Sequence, residues 1–239
     1  SHDYEYSPEG NILSKDTEHG TYIYGYDDFY RLTSATNPAS ADEAYTYDAL
    51  GNRTSAADAS GPWNYSSNNE LLGYTNVSFT YDTNGNLIRK VIGDDAINYF
   101  YDVADRLIRV EGDAAVVIAE YGYDPFGRRL WKEVGGIRTY FFYSGEGLIG
   151  EYAFNGAEIK TYGYVPDSLW SSTPVFQKAG GLHYWYHNDL LGTPQTIVDS
   201  GGNVVWAGTY DSFGNCRVAV ADIVNNLRFP GQYWDVETS

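Results

Sequence analysis

The 239-residue chain has one cysteine, no methionine, four histidines and few basic residues. A single cysteine, Cys216, cannot close an intrachain disulfide, which excludes a disulfide-stabilised fold. Fifteen Lys and Arg against 32 Asp and Glu give a net charge of -17. Because a surface of that sign repels phosphate groups, we expect neither nucleic acid nor an anionic membrane as a partner.

Long hydrophobic runs and familiar catalytic motifs are also missing. The chain has no apolar run of about 18 residues and no leader, so we expect no membrane span. Because it begins without methionine, we expect a processed or excised fragment. There is no P-loop, no nucleophile elbow and no dinucleotide fingerprint, so we expect neither an enzyme nor a cofactor.

Metal ligands do not occur in a binding pattern. The histidines lack zinc-site spacing, and Cys216 has no histidine near it in the sequence. Residues 82–86, Asp-Thr-Asn-Gly-Asn, imitate the start of a calcium loop, but the glycine is at the fourth place instead of the sixth. Asp, Asn and Gly are also the residues that tight turns require. We therefore interpret this stretch as a turn and expect no metal.

Tyrosine, by contrast, is abundant, with 24 copies, and it recurs in one frame. The motif is Tyr-x-Tyr-Asp-x-x-Gly-Arg/Asn-Leu. Its anchor tyrosines recur about every 20 residues, a spacing that indicates a repeat protein; they are Tyr6, Tyr26, Tyr47, Tyr65, Tyr81, Tyr101, Tyr123, Tyr143, Tyr164, Tyr186 and Tyr210. The residues that we take as the structural repeat motif are Tyr47, Asp48, Gly51, Tyr81, Asp82, Gly85, Tyr101, Asp102, Tyr123, Asp124, Gly127, Arg128, Tyr210, Asp211 and Gly214.

One copy of the motif predicts one β-hairpin. Tyr-x-Tyr places two aromatic side chains on the same face of a strand. Asp-x-x-Gly suits a turn, because Asp bonds to nearby backbone and Gly accepts a positive φ. The chain is therefore predicted to be all-β, a long antiparallel meander of roughly twenty short strands in a curled or spiral sheet. The only stretch with helical potential is a turn within residues 220–226.

The motif, best seen at residues 123–128 as Tyr-Asp-Pro-Phe-Gly-Arg, resembles the YD repeat of the Rhs family, which includes the C components of bacterial toxin complexes and, more distantly, the teneurins. Residues 184–194 and 226–238 are similar to the stretch of Rhs proteins that precedes their core junction. We accordingly divide the chain into a YD-repeat hairpin array, residues 1–182, and core-like repeats, residues 183–239, that stop before the autoproteolytic junction.

The resemblance implies a hollow shell around a C-terminal toxin domain. The chain would then be a non-catalytic segment of the shell wall of an Rhs-type polymorphic toxin. Its partner would be the C-terminal toxin domain of the parent chain, and the parent protein would be secreted or located at the cell surface.

A second hypothesis is a carbohydrate-binding or cell-surface adhesion module. Tryptophan and tyrosine present flat apolar faces with a polar edge, which suit sugars or a partner protein. The candidate ligand-contact residues are Trp63, Trp170, Trp185, Trp206 and Trp234. Under either hypothesis, strand edges left free by the limits of the chain predict self-association.

Overall fold

The computed structural model describes residues 3–17, 19–56, 59 and 61–238. Twenty-three strands follow one another along these residues. They are β1 (Asp3–Tyr6), β2 (Ile12–Thr17), β3 (Gly20–Tyr26), β4 (Leu32–Thr36), β5 (Glu43–Ala44), β6 (Thr46–Tyr47), β7 (Arg53–Ser55), β8 (Asn64–Tyr65), β9 (Leu71–Tyr74), β10 (Val77–Tyr81), β11 (Leu87–Ile92), β12 (Asp95–Tyr101), β13 (Leu107–Glu111), β14 (Val117–Tyr123), β15 (Arg129–Val134), β16 (Ile137–Tyr143), β17 (Leu148–Ala153), β18 (Glu158–Tyr164), β19 (Pro174–Ala179), β20 (Leu182–Asn188), β21 (Pro194–Val198), β22 (Val204–Tyr210) and β23 (Cys216–Ala221).

The strands form three sheets in which sequential strands are neighbours. Strands β1–β5 make a five-stranded sheet, β6 and β7 a two-stranded sheet, and β8–β23 a 16-stranded sheet. The large sheet is an antiparallel meander that does not close into a barrel. The prediction of an all-β meander is therefore confirmed.

Helix is almost absent from the described residues. The helix that they contain is one 3₁₀ turn at Asp113–Ala115. The predicted helical turn within residues 220–226 is wrong, because β23 continues to Ala221 and the residues after it are irregular. Backbone amides of Asp222 and Ile223 donate to the Val205 carbonyl, so the chain leaves the sheet edge instead of coiling.

The chain divides into two compact units, residues 1–99 and 100–239. The first unit buries small and aromatic side chains, namely Tyr22, Ala35, Tyr45, Ala96 and Tyr99. The second unit has a larger core, which comprises Phe141, Leu148, Tyr162, Tyr186, Ile197, Trp206 and Leu227. Leu227 belongs to the last part of the chain, residues 222–238, which we call the C-terminal segment. Its presence in the core shows that this segment packs on one face of the sheet, which we call the covered face.

Candidate functional site: the repeat turns and the covered sheet face

The aspartate of each YD motif organises a five-residue turn. In the turn at Asp124, the aspartate amide donates to the Arg128 carbonyl and the Gly127 amide donates to the Asp124 carbonyl. One carboxylate oxygen accepts from the amides of Phe126 and Arg128, both at 2.9 Å. Gly127 has φ +82°, which is why glycine suits the fourth position of the motif.

The same geometry recurs at the other motif copies. Carboxylates that accept from the amides two and four residues later belong to Asp27, Asp48, Asp82, Asp102, Asp124, Asp189, Asp199 and Asp211. Gly51, Gly85 and Gly214 take positive φ angles like that of Gly127. In two other turns the fourth position also has a positive φ but is occupied by Asp105 or Tyr30. Asp199 lies between β21 and β22, at the opposite end of the strands from the YD turns, so the turn chemistry is used at both ends.

Hydrogen bonds to the aspartate stabilise its charged form. In the turn at Asp102, the Arg106 guanidinium donates at 2.7 Å and lowers the pKa of the Asp102 carboxyl. In the turns at Asp48 and Asp82 an asparagine amide takes the place of the guanidinium and also lowers the carboxyl pKa. Asp48, Asp82 and Asp102 are therefore charged hydrogen-bond acceptors in the folded chain.

The anchor tyrosine links its repeat to the one before it. The Tyr123 hydroxyl donates to the Leu107 carbonyl at 2.7 Å, at the first residue of β13. The equivalent bond is made by Tyr26, Tyr47, Tyr65, Tyr81, Tyr143 and Tyr164. Tyr47 and Tyr65 donate across the breaks between the three sheets, so the repeat frame continues where strand pairing is interrupted.

Motif arginines extend the link in the other direction. The Arg106 guanidinium donates to the Asp124 carbonyl of the next repeat and lies 5.1 Å from the centre of the Tyr123 ring. Arg31 contacts the Asp48 carbonyl and the Tyr47 ring in the same way. Tyrosine, aspartate and arginine therefore form a contact between successive turns.

The five candidate tryptophans lie in different surroundings. Trp63 stacks on Tyr74, Trp170 stacks on Tyr143, and Trp185 is 38% exposed on β20. Trp206 is 1% exposed and lies in the core instead of in an exposed row, because β22 turns it toward the covered face. Arg228 lies between the rings of Trp206 and Trp234, 4.9 Å from each.

One end of the C-terminal segment lies against two cations of the sheet. Arg129 and Lys132 of β15 both contact the Asp235 carboxylate, and Lys132 also contacts Glu237. Arg129 is further enclosed by the rings of Phe141, at 4.6 Å, and Tyr233, at 5.0 Å. The segment is therefore fixed at this end by paired and largely buried charges.

The other end of the segment is fixed by hydrogen bonds from a tyrosine hydroxyl and from a lysine ammonium. Tyr186 donates to Asn225, and the Lys160 ammonium donates to the Val224 carbonyl at 3.0 Å and to Asn226 Oδ1 at 2.7 Å. Burial lowers the pKa of Lys160 and raises the pKa of Tyr186. The sequence pattern did not indicate Lys160, Asn225 or the paired charges; the available signal was that residues 222–238 lack the repeat.

Neither a cluster of metal ligands nor a membrane-spanning helix occurs in the part of the chain that the structure describes. No group of three or more His, Cys, Asp or Glu residues within residues 3–17, 19–56, 59 and 61–238 could hold a metal ion. In the same part of the chain, no helix has the length and hydropathy needed to cross a bilayer.

Comparison with known proteins gives the family. The family model described as Teneurin YD-shell matches residues 2–235. The chain is 31% identical over 272 residues to double-stranded DNA deaminase toxin A of Burkholderia cenocepacia (strain H111), covering 98% of this chain and 19% of that protein. It is 31% identical over 226 residues to tRNA nuclease WapA of Bacillus subtilis (strain 168), covering 89% of this chain and 9% of that protein.

A solved structure shares the fold. In the TcdB2-TccC3-Cdc42 complex, a chain that is 16% identical superposes with a TM-score of 0.54 over 99% of this chain and 15% of its own length. At that identity the likeness concerns the fold alone. The chain spans less than a fifth of the length of the curated relatives described above.

Proposed function

Because the chain belongs to the teneurin YD-shell family, we propose that it is a non-catalytic segment of the shell wall of an Rhs-type polymorphic toxin that encloses a C-terminal toxin domain of the parent chain. The observation that carries this proposal is the contact repeated from turn to turn. Tyr123 bonds to the preceding repeat, and Arg106 reaches forward to the repeat of Tyr123. A wall needs such neighbour-to-neighbour continuity, since each hairpin buries its surface only against the next.

The deaminase and nuclease named among the relatives do not make this chain an enzyme. The chain covers 19% of the first relative and 9% of the second, and the family model that it matches describes a shell. We assign the chemistry of such toxins to other parts of their chains. The part of this chain that the structure describes contains polar side chains engaged in turns and in the attachment of the C-terminal segment.

Protection of the enclosed domain tests the proposal. The whole parent protein is treated with a broad protease under native conditions, and the survival of the domain that follows the repeats is followed by mass spectrometry. We expect that domain to persist in the parent protein and to be digested when it is expressed alone under the same conditions. Equal digestion in both samples would show that the repeats do not enclose it.

Three finer expectations stay proposals with their own measurements. We propose that the parent protein acts outside the cell that makes it. Fractionation of a producing culture into cells and medium tests this. The division at residues 182 and 183 is tested by hydrogen exchange, which should show a change in protection there. Self-association through strand edges predicts a scattering mass that rises with concentration, and a constant monomer mass would contradict it.

Carbohydrate binding is not favoured by the surroundings of the tryptophans. Trp206 is in the core, and the rings of Trp63 and Trp170 each stack on a tyrosine of this chain. Tryptophan emission measured across a panel of glycans would revive this hypothesis if it shifted.

A further inference from the structure

The buried lysine of the covered face has an unusual partner. Lys160 is 8% exposed, and its ammonium donates to Asn226 Oδ1 at 2.7 Å although 66 residues separate the two. Within the described residues, no carboxylate forms an ion pair with it. Burial of the ammonium lowers the pKa of Lys160, although the charge of Glu151 opposes the shift, so this lysine gives up its proton more readily than an exposed one, and the neutral amine is a nucleophile.

The amide of Asn226 is held in one orientation by both of its polar atoms. Oδ1 accepts from Lys160, while Nδ2 donates to the Trp234 carbonyl at 3.0 Å. The amide carbon lies one carbonyl bond of about 1.2 Å from Oδ1. The Lys160 nitrogen is therefore within about 4 Å of that carbon, close to the separation of about 3–3.5 Å from which bonds form.

A buried carboxyl group accompanies the pair. Glu151 of β17 is directly opposite Lys160 of β18 in the strand register and is 4% exposed. Opposed residues on one face have Cβ atoms about 4.5–5.5 Å apart, and the charge of Glu151 acts on Lys160 although the two side chains form no ion pair. The Tyr162 hydroxyl donates to Glu151 at 2.5 Å. Phe141, Tyr162 and Tyr186 are buried around the cluster and exclude water from it.

We propose that Lys160 and Asn226 join in an intramolecular isopeptide bond, with Glu151 transferring the proton. The neutral Lys160 nitrogen attacks the amide carbon of Asn226 and forms the new C–N bond. A rotation of the side chain brings the Glu151 carboxylate to that nitrogen, where it takes one proton. The bond from the carbon to Nδ2 then breaks, Glu151 returns the proton to the departing nitrogen, and one ammonia leaves. The carboxylate is regenerated and no oxidant is needed.

Such a bond fixes the C-terminal segment to β18 covalently. The other attachments of the segment, such as the contacts of Asp235 with Arg129 and Lys132, are non-covalent and reversible. In a chain with one cysteine, a lysine–asparagine linkage closes a long loop without a disulfide.

The intact mass of the folded protein tests the proposal. We expect the mass to be lower than the sequence mass by one ammonia. Trypsin should fail to cut after Lys160, and the digest should contain residues 139–178 joined to residues 218–228. A folded protein at the full sequence mass, cut normally after Lys160, would overturn the proposal.

Four variants separate the linkage from other losses of ammonia. Lys160→Met and Asn226→Ala should each restore the full mass for their sequence, and Lys178→Met, which removes the partly exposed lysine paired with Glu158, should keep the loss. Glu151→Gln leaves both reacting groups in place and should leave them unlinked, with the far-ultraviolet dichroism of the wild type. Retention of the ammonia loss in Lys160→Met would refute the linkage, and the linked peptide of the wild type decides the matter if a variant fails to fold.

Discussion

Removing the Asp235 carboxylate gives the sharpest test of how the C-terminal segment is held. Asp235 accepts from Arg129 at 2.5 Å and from Lys132 at 2.9 Å. In Asp235→Ala, Arg129 keeps its aromatic neighbours but has no anion, while Lys132 keeps Glu237. Because the Arg129 and Asp235 side chains are each 16% exposed, most of the cost of an unpaired buried charge applies.

Breaking a buried ion pair by removing one partner costs about 3–5 kcal/mol. Residual solvent at Asp235 and the aromatic faces around Arg129 place the expected loss near the lower end, at about 3 kcal/mol. With a urea dependence of about 2 kcal/mol per molar, the unfolding midpoint should fall by about 1.5 M. Urea titration followed by tryptophan emission measures it, since Trp206 and Trp234 lie under and within the segment.

Two further variants show whether the charge is responsible. Asp222→Asn removes an exposed carboxylate from the same segment and should change the free energy of unfolding by less than about 0.5 kcal/mol. Arg129→Met with Asp235→Leu replaces the pair by apolar side chains and should cost less than Asp235→Ala alone. If Asp235→Ala shifts the midpoint no more than Asp222→Asn does, the segment is not held by these charges.

Three other predictions follow from the repeat geometry. Gly163→Ala should destabilise the protein by about 1–3 kcal/mol, because a Cβ at Gly163 would overlap the Phe176 ring. Gly145→Ala is the control and should be neutral, because the space around Gly145 is open. Thermal unfolding compares the two variants. Tyr30→Gly should raise the free energy of unfolding by up to about 1 kcal/mol, because Tyr30 has φ +62° and glycine relieves that strain; an unchanged or lower urea midpoint would contradict it. The contribution of the turn carboxyls to stability should be constant above about pH 5 and should be lost in acid. Their lowered pKa values stabilise the folded state above their unfolded pKa of about 3.9, and this contribution is lost as pH falls through the folded pKa. A dichroism titration that was flat to pH 2 would refute it for Asp27, Asp48, Asp82, Asp102 and Asp199.

The strand and turn pattern was predictable because its causes are local. Tyr-x-Tyr sets the strand face, and Asp-x-x-Gly sets the turn within five residues, so the all-β meander could be inferred from the sequence. Tyr30 is an exception to these local rules, because it occupies the glycine position of its turn with a positive φ. The hydrogen bond from Tyr123 to Leu107 spans 16 residues, about one repeat, so it follows the periodicity of the sequence.

The covered face was not predictable because its contacts join residues far apart in the sequence. Lys132 and Glu237 are 105 residues apart, and Lys160 and Asn226 are 66 apart. The partners in the C-terminal segment lie outside the repeat motif, and each lysine occupies an ordinary strand position of its hairpin. What the sequence did contain was a segment without the motif, and such a segment must bury Leu227 and its polar neighbours against something. The sheet meets that requirement by placing cations where the segment has carboxylates and amides, so the C-terminal segment is attached to strands that are far from it in the sequence.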